Sequence, residues 1–480
     1  MINFRVIARV FSLIIVIEGL FMLLSAGVAF LYGEPASLLF SGIITVIAGA
    51  LVFTPLRNEE KLSGQKEGYI IITGMWFLLS LFGIIPYLLS GTITSFGDAF
   101  FESVSGFTTT GATILTDVES VPHGILFWRS ITQWMGGIGF IIISLSVLQV
   151  IRNVNIQLPL NDFTGQTGDK IHPKINEVAK RLIFFYVILT GSEAILLMIG
   201  GMDVFDAVCH SFTTMSTGGF STANNNIGAY ASPFILITIT VFMFLAGTNM
   251  TIFYFGFKLR LGKIRENNEF KFFLITCLAF IIVSSLALWL TGQYKPGRSF
   301  VEGAFQSVSV VTTTGFYHSN YNLWGNLPML LIFMMMFTGG TSGSASGGIK
   351  IIRLLLVTRI TRHEMRQMMH PHAVIPVRLD NKGVPQIIIN NLLVFVALYL
   401  MILCAGAFIT SLMGYDIVTS FSTSAAMLGN IGPGIGAFGP FSDYAPLSAG
   451  AKLFFSFLMI IGRLELFSII VFFTGSFYRR

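Results

Sequence analysis

Gly97-Asp98-Ala99-Phe100-Phe101-Glu102-Ser103-Val104-Ser105-Gly106-Phe107-Thr108-Thr109-Thr110-Gly111 lies between two long apolar segments. It is too short and too polar to cross a bilayer, which takes roughly 20 apolar residues. Something close recurs three times, always between two apolar segments. Asp206-Ala207-Val208 leads to Met215-Ser216-Thr217-Gly218-Gly219-Phe220, and Glu302-Gly303-Ala304 leads to Thr312-Thr313-Thr314-Gly315-Phe316. Asp416-Ile417-Val418 leads to Met427-Leu428-Gly429-Asn430-Ile431-Gly432-Pro433. The acid precedes the glycine by thirteen in the first three copies (98 to 111, 206 to 219, 302 to 315). In the fourth copy that interval lands on Gly429. Asn430-Ile431-Gly432 keeps the polar-X-Gly character, so Gly432 is preferred and Gly429 stays open. One Thr-Thr-Thr-Gly is a weak string that any loop can carry; four copies at matched places form a repeat of helix, half-helix, loop and helix.

Composition says what surrounds these units. Of 480 residues, 54% are hydrophobic and only 11% are charged, against about 25% charged in soluble domains. A water-soluble enzyme of ordinary type is excluded, and no long polar or low-complexity run leaves room for a disordered tail. The three cysteines, Cys209, Cys277 and Cys404, lie in or beside apolar stretches, so neither a disulfide framework nor a zinc cluster is expected. Apolar segments near 4–32, 36–55, 69–90, 125–151, 180–200, 233–257, 270–291, 326–361, 385–413 and 450–477 predict ten spans. Arg5 and Arg9 precede an apolar run that continues past residue 30, which reads as a retained first helix and not a cleaved signal.

An even number of spans puts both termini on one side, where 24 of the 29 Lys and Arg residues then lie. Arg129, Lys295, Arg298, Lys452 and Arg463 are the remainder. The positive-inside rule makes that side cytoplasmic. The net charge of +6 is accounted for by loop orientation and implies no nucleic-acid partner. The fold class expected is an all-α polytopic membrane protein of four pseudo-repeated helix–pore-loop–helix units around a central ion path. Two extra helices occupy 1–67, and the repeats occupy 68–152, 153–265, 266–378 and 379–480.

Each acid (Asp98, Asp206, Glu302, Asp416) is expected to cap the N-terminus of its short helix. The helix C-terminus then points at non-helical backbone, tolerated at membrane depth only where it is buried in protein or lines a cavity. Glycine lets consecutive carbonyls turn towards one axis. Four such loops can replace the hydration shell of a monovalent cation with neutral carbonyl oxygens. The absence of an acidic ring in the sequence pattern argues against a calcium or magnesium path.

These four units, in this order and behind two extra spans, resemble the Trk/Ktr/HKT superfamily of potassium transporters, in its bacterial TrkH branch. The likeness runs over essentially the whole chain. It implies a potassium filter made by Thr109, Thr110, Gly111, Thr217, Gly218, Gly219, Thr313, Thr314, Gly315, Asn430, Ile431 and Gly432, with potassium as the bound ion. It further implies a homodimer in a bacterial inner membrane, controlled by a cytoplasmic nucleotide-binding regulatory subunit of the TrkA kind. A serine at the first filter position goes with sodium permeation in that superfamily, so Gly111 favours potassium.

The eighth apolar segment is interrupted by Gly339, Gly340, Thr341, Ser342, Gly343, Ser344, Ala345, Ser346, Gly347 and Gly348. The stretch 337–348 reads either as a loop joining two helices or as an unwound intramembrane segment beneath the filter, and the resemblance implies a gate there. Arg463, inside the tenth apolar segment, is costly to bury. It reads as paired with Glu465 or with carbonyls, or, by the resemblance, as a charge that raises the barrier to a cation. Glu18, Glu193 and Gln133 read as packing or inter-helix hydrogen bonds. Arg359, Arg362, His363, Glu364, Arg366, His370 and His372 form a solvated basic face or, with loops 152–175 and 258–271, a docking surface for a regulator. The chain carries no GxGxxG in a βαβ context and no Walker motif, so no nucleotide site is expected in it. An ion-coupled secondary transporter, moving potassium with a proton or sodium, is the alternative; a small-solute carrier with inverted repeats fits four parallel copies poorly, and no catalytic constellation suggests an enzyme.

Overall fold

The computed structural model describes residues 2–56, 65–152, 175–230, 232–371, 376–380 and 382–473. Arg57, Lys61, Lys170, Lys174, His372, Arg479, Arg480 and nearly all of the 152–175 loop lie outside them. Among the described residues the regular structure is helical apart from a two-residue antiparallel pairing, β1 (Arg378–Leu379) with β2 (Lys382–Gly383). It is an all-α polytopic membrane protein.

Two helices, α1 (Phe4–Leu31) and α2 (Ser37–Phe53), form an opening hairpin. They approach closely because small residues face each other: a Cβ on Gly19 would lie 2.7 Å from Val46, and one on Gly42 2.7 Å from Leu23. The first repeat comprises α3 (Gln65–Phe82), α4 (Ile85–Ser90), α5 (Phe96–Phe107) and α6 (His123–Arg152). The second comprises α7 (Ile175–Ile199), α8 (Val204–Met215), α9 (Pro233–Ala246), α10 (Met250–Phe257) and α11 (Leu261–Glu266). The third comprises α12 (Asn268–Leu290), α13 (Pro296–Val311), α14 (Asn326–Met335) and α15 (Ile351–Met369). The fourth comprises α16 (Gln386–Leu412), α17 (Ile417–Leu428), α18 (Ala449–Arg463) and α19 (Phe467–Ile470).

Each short helix (α5, α8, α13, α17) packs on the long helix before it. Three also pack on the preceding repeat's second helix: α8 on α6, α13 on α9 and α5 on α18. The last pairing joins the fourth repeat to the first, so the units close around an axis. Outward faces carry exposed Leu, Ile and Phe, such as Leu24, Ile275, Met401 and Phe408, as a lipid-facing surface requires, because no water competes there for apolar contact.

Among the described residues, six helices are long and apolar enough to cross a membrane as single rods, or seven with the bent pair α9–α10. Three apolar segments expected as spans are broken. The segment 233–257 bends by 101° between α9 and α10. The segment 326–361 splits into α14 and α15 around residues 336–350. The segment 450–477 breaks after Arg463, where Glu465 and Leu466 take left-handed φ of 53° and 60°. Only α6 continues unbroken as the second helix of its repeat.

Candidate functional site

All four short helices end in the same way. Thr109, Thr217, Thr313 and Asn430 have φ of 52°, 54°, 58° and 52°. The next amide in each case closes a six-residue ring back to the helix: Thr110 N to Ser105 O at 2.9 Å, Gly218 N to Thr213 O at 2.8 Å, Thr314 N to Ser309 O at 2.9 Å and Ile431 N to Ala426 O at 2.9 Å. This is the Schellman termination, which normally places glycine at the left-handed residue. Here threonine occupies it in three copies, at a cost of about 1 kcal/mol each. A second left-handed residue follows two positions on, always glycine: Gly111, Gly219, Gly315 and Gly432, with φ of 84°, 79°, 80° and 94°. Gly429 instead caps α17 in right-handed geometry.

These glycines meet the neighbouring repeat. A Cβ built on Gly111 would lie 2.2 Å from Gly218 O, and one on Gly219 2.1 Å from Thr314 O. One on Gly315 would lie 1.8 Å from Ile431 O, and one on Gly432 2.5 Å from Thr110 O. The contacts run from the first repeat to the second, third and fourth, and back to the first. Any side chain at these positions would collide with backbone, which explains glycine at all four. The twelve residues expected at the filter are thus gathered in one closed ring of loops, their side chains almost wholly buried.

The acids hold these loops in a different way from the one expected. Only Asp416 caps its helix, accepting from Val418 N at 3.1 Å and Thr419 N at 3.2 Å. In α8 the cap is Asp203, which precedes Gly219 by sixteen, as Asp416 precedes Gly432. Asp206 accepts instead from Thr222 Oγ1 at 2.7 Å and Tyr230 Oη at 2.8 Å, on the chain leaving the ring. Glu302 accepts from Ser319 Oγ at 2.9 Å and pairs with His318 at 3.0 Å. Asp98 pairs with Lys452 of α18 at 2.6 Å. Asp98 and Asp206 stand in the first turn of their helices and Glu302 in the second, yet each carboxylate turns to a partner outside its own helix and not to the helix-end N–H groups.

On one side the ring opens into a vestibule lined by Gly111, Gly219, Gly315, Pro433, Arg129 and Asp443 among others. Arg129 is buried there. Its Nε lies 2.6 Å from Glu102 Oε1, its Nη1 donates to Ser221 O at 2.9 Å, and its guanidinium sits 3.5 Å from the Phe220 ring centroid. At the rim, Asn224 Nδ2 donates to Asp117 at 2.8 Å, and this hydrogen bond holds that carboxyl below its ordinary value.

The glycine-rich stretch packs on the other side. Gly347 N donates to Thr313 Oγ1 at 2.7 Å, and a Cβ on Gly347 would lie 2.5 Å from Gly429 O. Thr341 N donates to Gly247 O at 2.9 Å and Asn249 Nδ2 to Ser342 O at 2.6 Å, so the stretch is seated in the bend of the second repeat. Ser342 N also donates to Glu269 of α12. Gly340 N donates to Ser346 Oγ at 2.9 Å, and buried Lys350 donates to Ser346 O, closing the stretch on itself. Gly339, Gly343, Ser344, Ala345 and Gly348 complete it.

Arg463 ends α18 and is not inside a continuous span. Its Nη1 donates to Ala345 O at 2.7 Å and its Nη2 to Gly136 O at 3.2 Å, with Phe140 4.3 Å from the guanidinium. Nε has no partner. Of the static partners left open, the carbonyls are the ones found; Glu465 pairs with Arg353 of α15 instead. Side chains two apart do not share a helix face, and the chain turns left-handed at Glu465 itself.

Gln133, read from the sequence as packing or an inter-helix hydrogen bond, contacts the ring itself, and Asn249 was not singled out. Gly247-Thr248-Asn249 was a readable signal, a helix stop followed by an N-cap residue, and Asn249 does accept from Thr251 N at 2.8 Å. The link from Gln133 to Gly218 joins residues far apart in sequence and leaves no periodic trace.

A family model described as TrkH, cation transport protein, matches residues 37–478. The Trk system potassium uptake protein TrkH of Salmonella typhimurium is 34% identical, with 99% of this chain and 100% of that protein covered. The protein of the same description from Halomonas elongata is 34% identical over 100% of both chains. The crystal structure of the potassium transporter TrkH from Vibrio parahaemolyticus superposes with a TM-score of 0.91 at 31% identity, covering 100% of both.

Proposed function

The chain belongs to the TrkH family of cation transport proteins, and from that membership we propose that it takes potassium into a bacterial cell through the ring of four loops. One observation carries the reading: four loops of identical termination abut in a closed cycle, each glycine against the carbonyl of the next repeat. Such a ring offers neutral oxygens in place of a monovalent ion's water, at a spacing set by backbone contact and not by mobile side chains. Potassium enters from the vestibule on the outer face and moves down its electrochemical gradient. The membrane potential contributes about 2.3 kcal/mol per charge for each 100 mV.

The glycine-rich stretch is the gate. It lies across the path on the cytoplasmic side, is tied to the ring through Thr313 and is bonded by Arg463, whose charge opposes a cation beneath the ring. Opening requires the stretch to leave its seat at Gly247 and Asn249. A nucleotide-binding regulator of the Trk system docks at the exposed cytoplasmic ends of α11 and α15, where Lys263, Arg265, Arg362 and Arg366 stand, and the working unit is a homodimer in the inner membrane.

Flux of potassium, rubidium, sodium and lithium into liposomes holding the purified chain tests this, alongside a chain lacking 339–346. Passage of potassium and rubidium with little sodium or lithium, raised by the deletion, is the expected result. Equal passage of all four, or none in either chain, overturns it.

A further inference from the structure

The four ring carbonyls are not equivalent. Those of Thr110, Thr314 and Ile431 accept no hydrogen bond among the described residues, whereas Gly218 O accepts from Gln133 Nε2 at 2.7 Å. The same side chain receives Phe220 N on its Oε1 at 3.1 Å. Gln133, on α6 of the first repeat, is fully buried. It therefore bridges the two peptide groups on either side of Gly219 in the second repeat, one as donor and one as acceptor, and both functions of its amide are used.

The clamp explains a departure in the sequence. At the position before the ring glycine, repeats one and three have threonines whose hydroxyls pair with their own helix ends: Thr110 with Thr108 and Thr314 with Thr312, both at 2.8 Å. Repeat four has Ile431. Repeat two has Gly218, and a Cβ there would lie 2.3 Å from Gln133 Oε1 and 2.4 Å from its Cδ. The amide of Gln133 occupies the space of the missing side chain. The two residues are complementary, and the loop that has no side chain at this position is held from the neighbouring repeat.

We infer that Gln133 is a positioning residue for ion selectivity, resting on the reading of the ring as a potassium path: it keeps the Gly218 peptide from moving inward. A ring discriminates against a smaller ion when its oxygens cannot close around it. A carbonyl held outward by a donor resists that contraction, and Gly218, lacking a side chain, is the member of the ring freest to rotate. With the amide removed, the second repeat yields first, and sodium and lithium gain ligands that the wild-type ring withholds.

The test is the ratio of sodium to potassium flux in liposomes for wild type, Gln133→Asn and Gln133→Met. Loss of folded protein scales flux of every ion alike and leaves the ratio unchanged; a change in ring geometry does not. The ratio is expected to rise about tenfold in Gln133→Met, with Gln133→Asn, one methylene shorter, between it and wild type. A ratio within twofold of wild type in Gln133→Met overturns the inference while leaving the potassium path standing. If Gln133→Met passes no ion, Gln133→Asn decides by the same criterion, and silence from both also overturns it, since the inference requires a conducting and less selective path. A wild-type chain that does not prefer potassium removes the path itself and this inference with it.

Discussion

Two buried arginines flank the ring of loops, and they are held in opposite ways. Arg129, on the vestibule side, has a carboxylate at 2.6 Å and an aromatic face against its guanidinium. Arg463, on the side of the glycine-rich stretch, has carbonyl partners and, among the described residues, no hydrogen-bonded acid; Glu465 acts on it only from beyond hydrogen-bond reach, being paired with Arg353. A buried charge with a well-placed counterion adds little net field to its surroundings, and breaking the pair is costly. A charge bonded only to carbonyl dipoles keeps its field. The first arrangement suits a scaffold beside an entrance that must not repel cations. The second suits a barrier, and it ties the barrier to the stretch that would have to move.

The sharpest way to break this contrast is to remove the acid. Glu102→Gln leaves Arg129 buried without its counterion and should cost about 3–5 kcal/mol of stability. It also loosens the chain returning from the ring, because Glu102 accepts from Thr113 Oγ1 at 3.0 Å and Ile114 N at 2.9 Å. A marked fall in the thermal midpoint in detergent is expected; a midpoint equal to wild type would mean that Arg129 is compensated elsewhere and that the two arginines are alike.

Arg463→Ala should act in the other direction. Its removal leaves no orphaned acid, so the thermal midpoint should hold, while basal potassium flux rises. A full charge at about 7 Å in an effective dielectric near 20 is worth about 2 kcal/mol, or roughly thirtyfold in rate. Flux that falls while the protein stays folded would assign Arg463 to scaffolding.

Gly111→Ser tests the ring that lies between the two arginines. The new Cβ would meet Gly218 O at 2.2 Å in a left-handed backbone, so the first loop must shift outward. Sodium should pass alongside potassium, with a loss of preference of about tenfold, or about 1.4 kcal/mol. Unchanged ion ratios would mean that this loop does not touch the ion.

The fold was legible because apolar length and fourfold recurrence both survive in one dimension. The short helices follow from their polarity and their place between spans, and Thr-Thr-Gly and Asn-Ile-Gly lead to the residues now gathered in the ring. What did not survive is what depends on contacts across repeats. The pairing of Gln133 with Gly218 has no spacing to betray it. Hydropathy also reads straight through a bend, so 233–257 and 450–477 looked continuous although Gly247-Thr248-Asn249 and Gly462-Arg463 interrupt them. Polar residues at such breaks are exposed to partners on other helices, which is why the partner of Arg463 could not be picked between an acid two residues away and a carbonyl more than a hundred residues away. The acids misled for a similar reason: Asp206 and Asp203 stand three apart, and only the direction of the first turn decides which one caps.

The smallest predicted effect isolates the connection between ring and barrier. Thr109 and Thr313 occupy equivalent left-handed positions, yet Thr313 Oγ1 accepts from Gly347 N while Thr109 Oγ1 has no hydrogen-bond partner among the described residues. Valine matches threonine in shape and shares its β-branched strain, so Thr313→Val changes only the acceptor. The buried Gly347 N–H is then left unpaired, raising the seated stretch by about 1 kcal/mol and basal flux by about fivefold. Thr109→Val should leave basal flux unchanged, and neither change should alter the sodium-to-potassium ratio. If both variants raise flux equally, the hydrogen bond to Gly347 does not hold the barrier closed, and the difference lies in the backbone that the two threonines share.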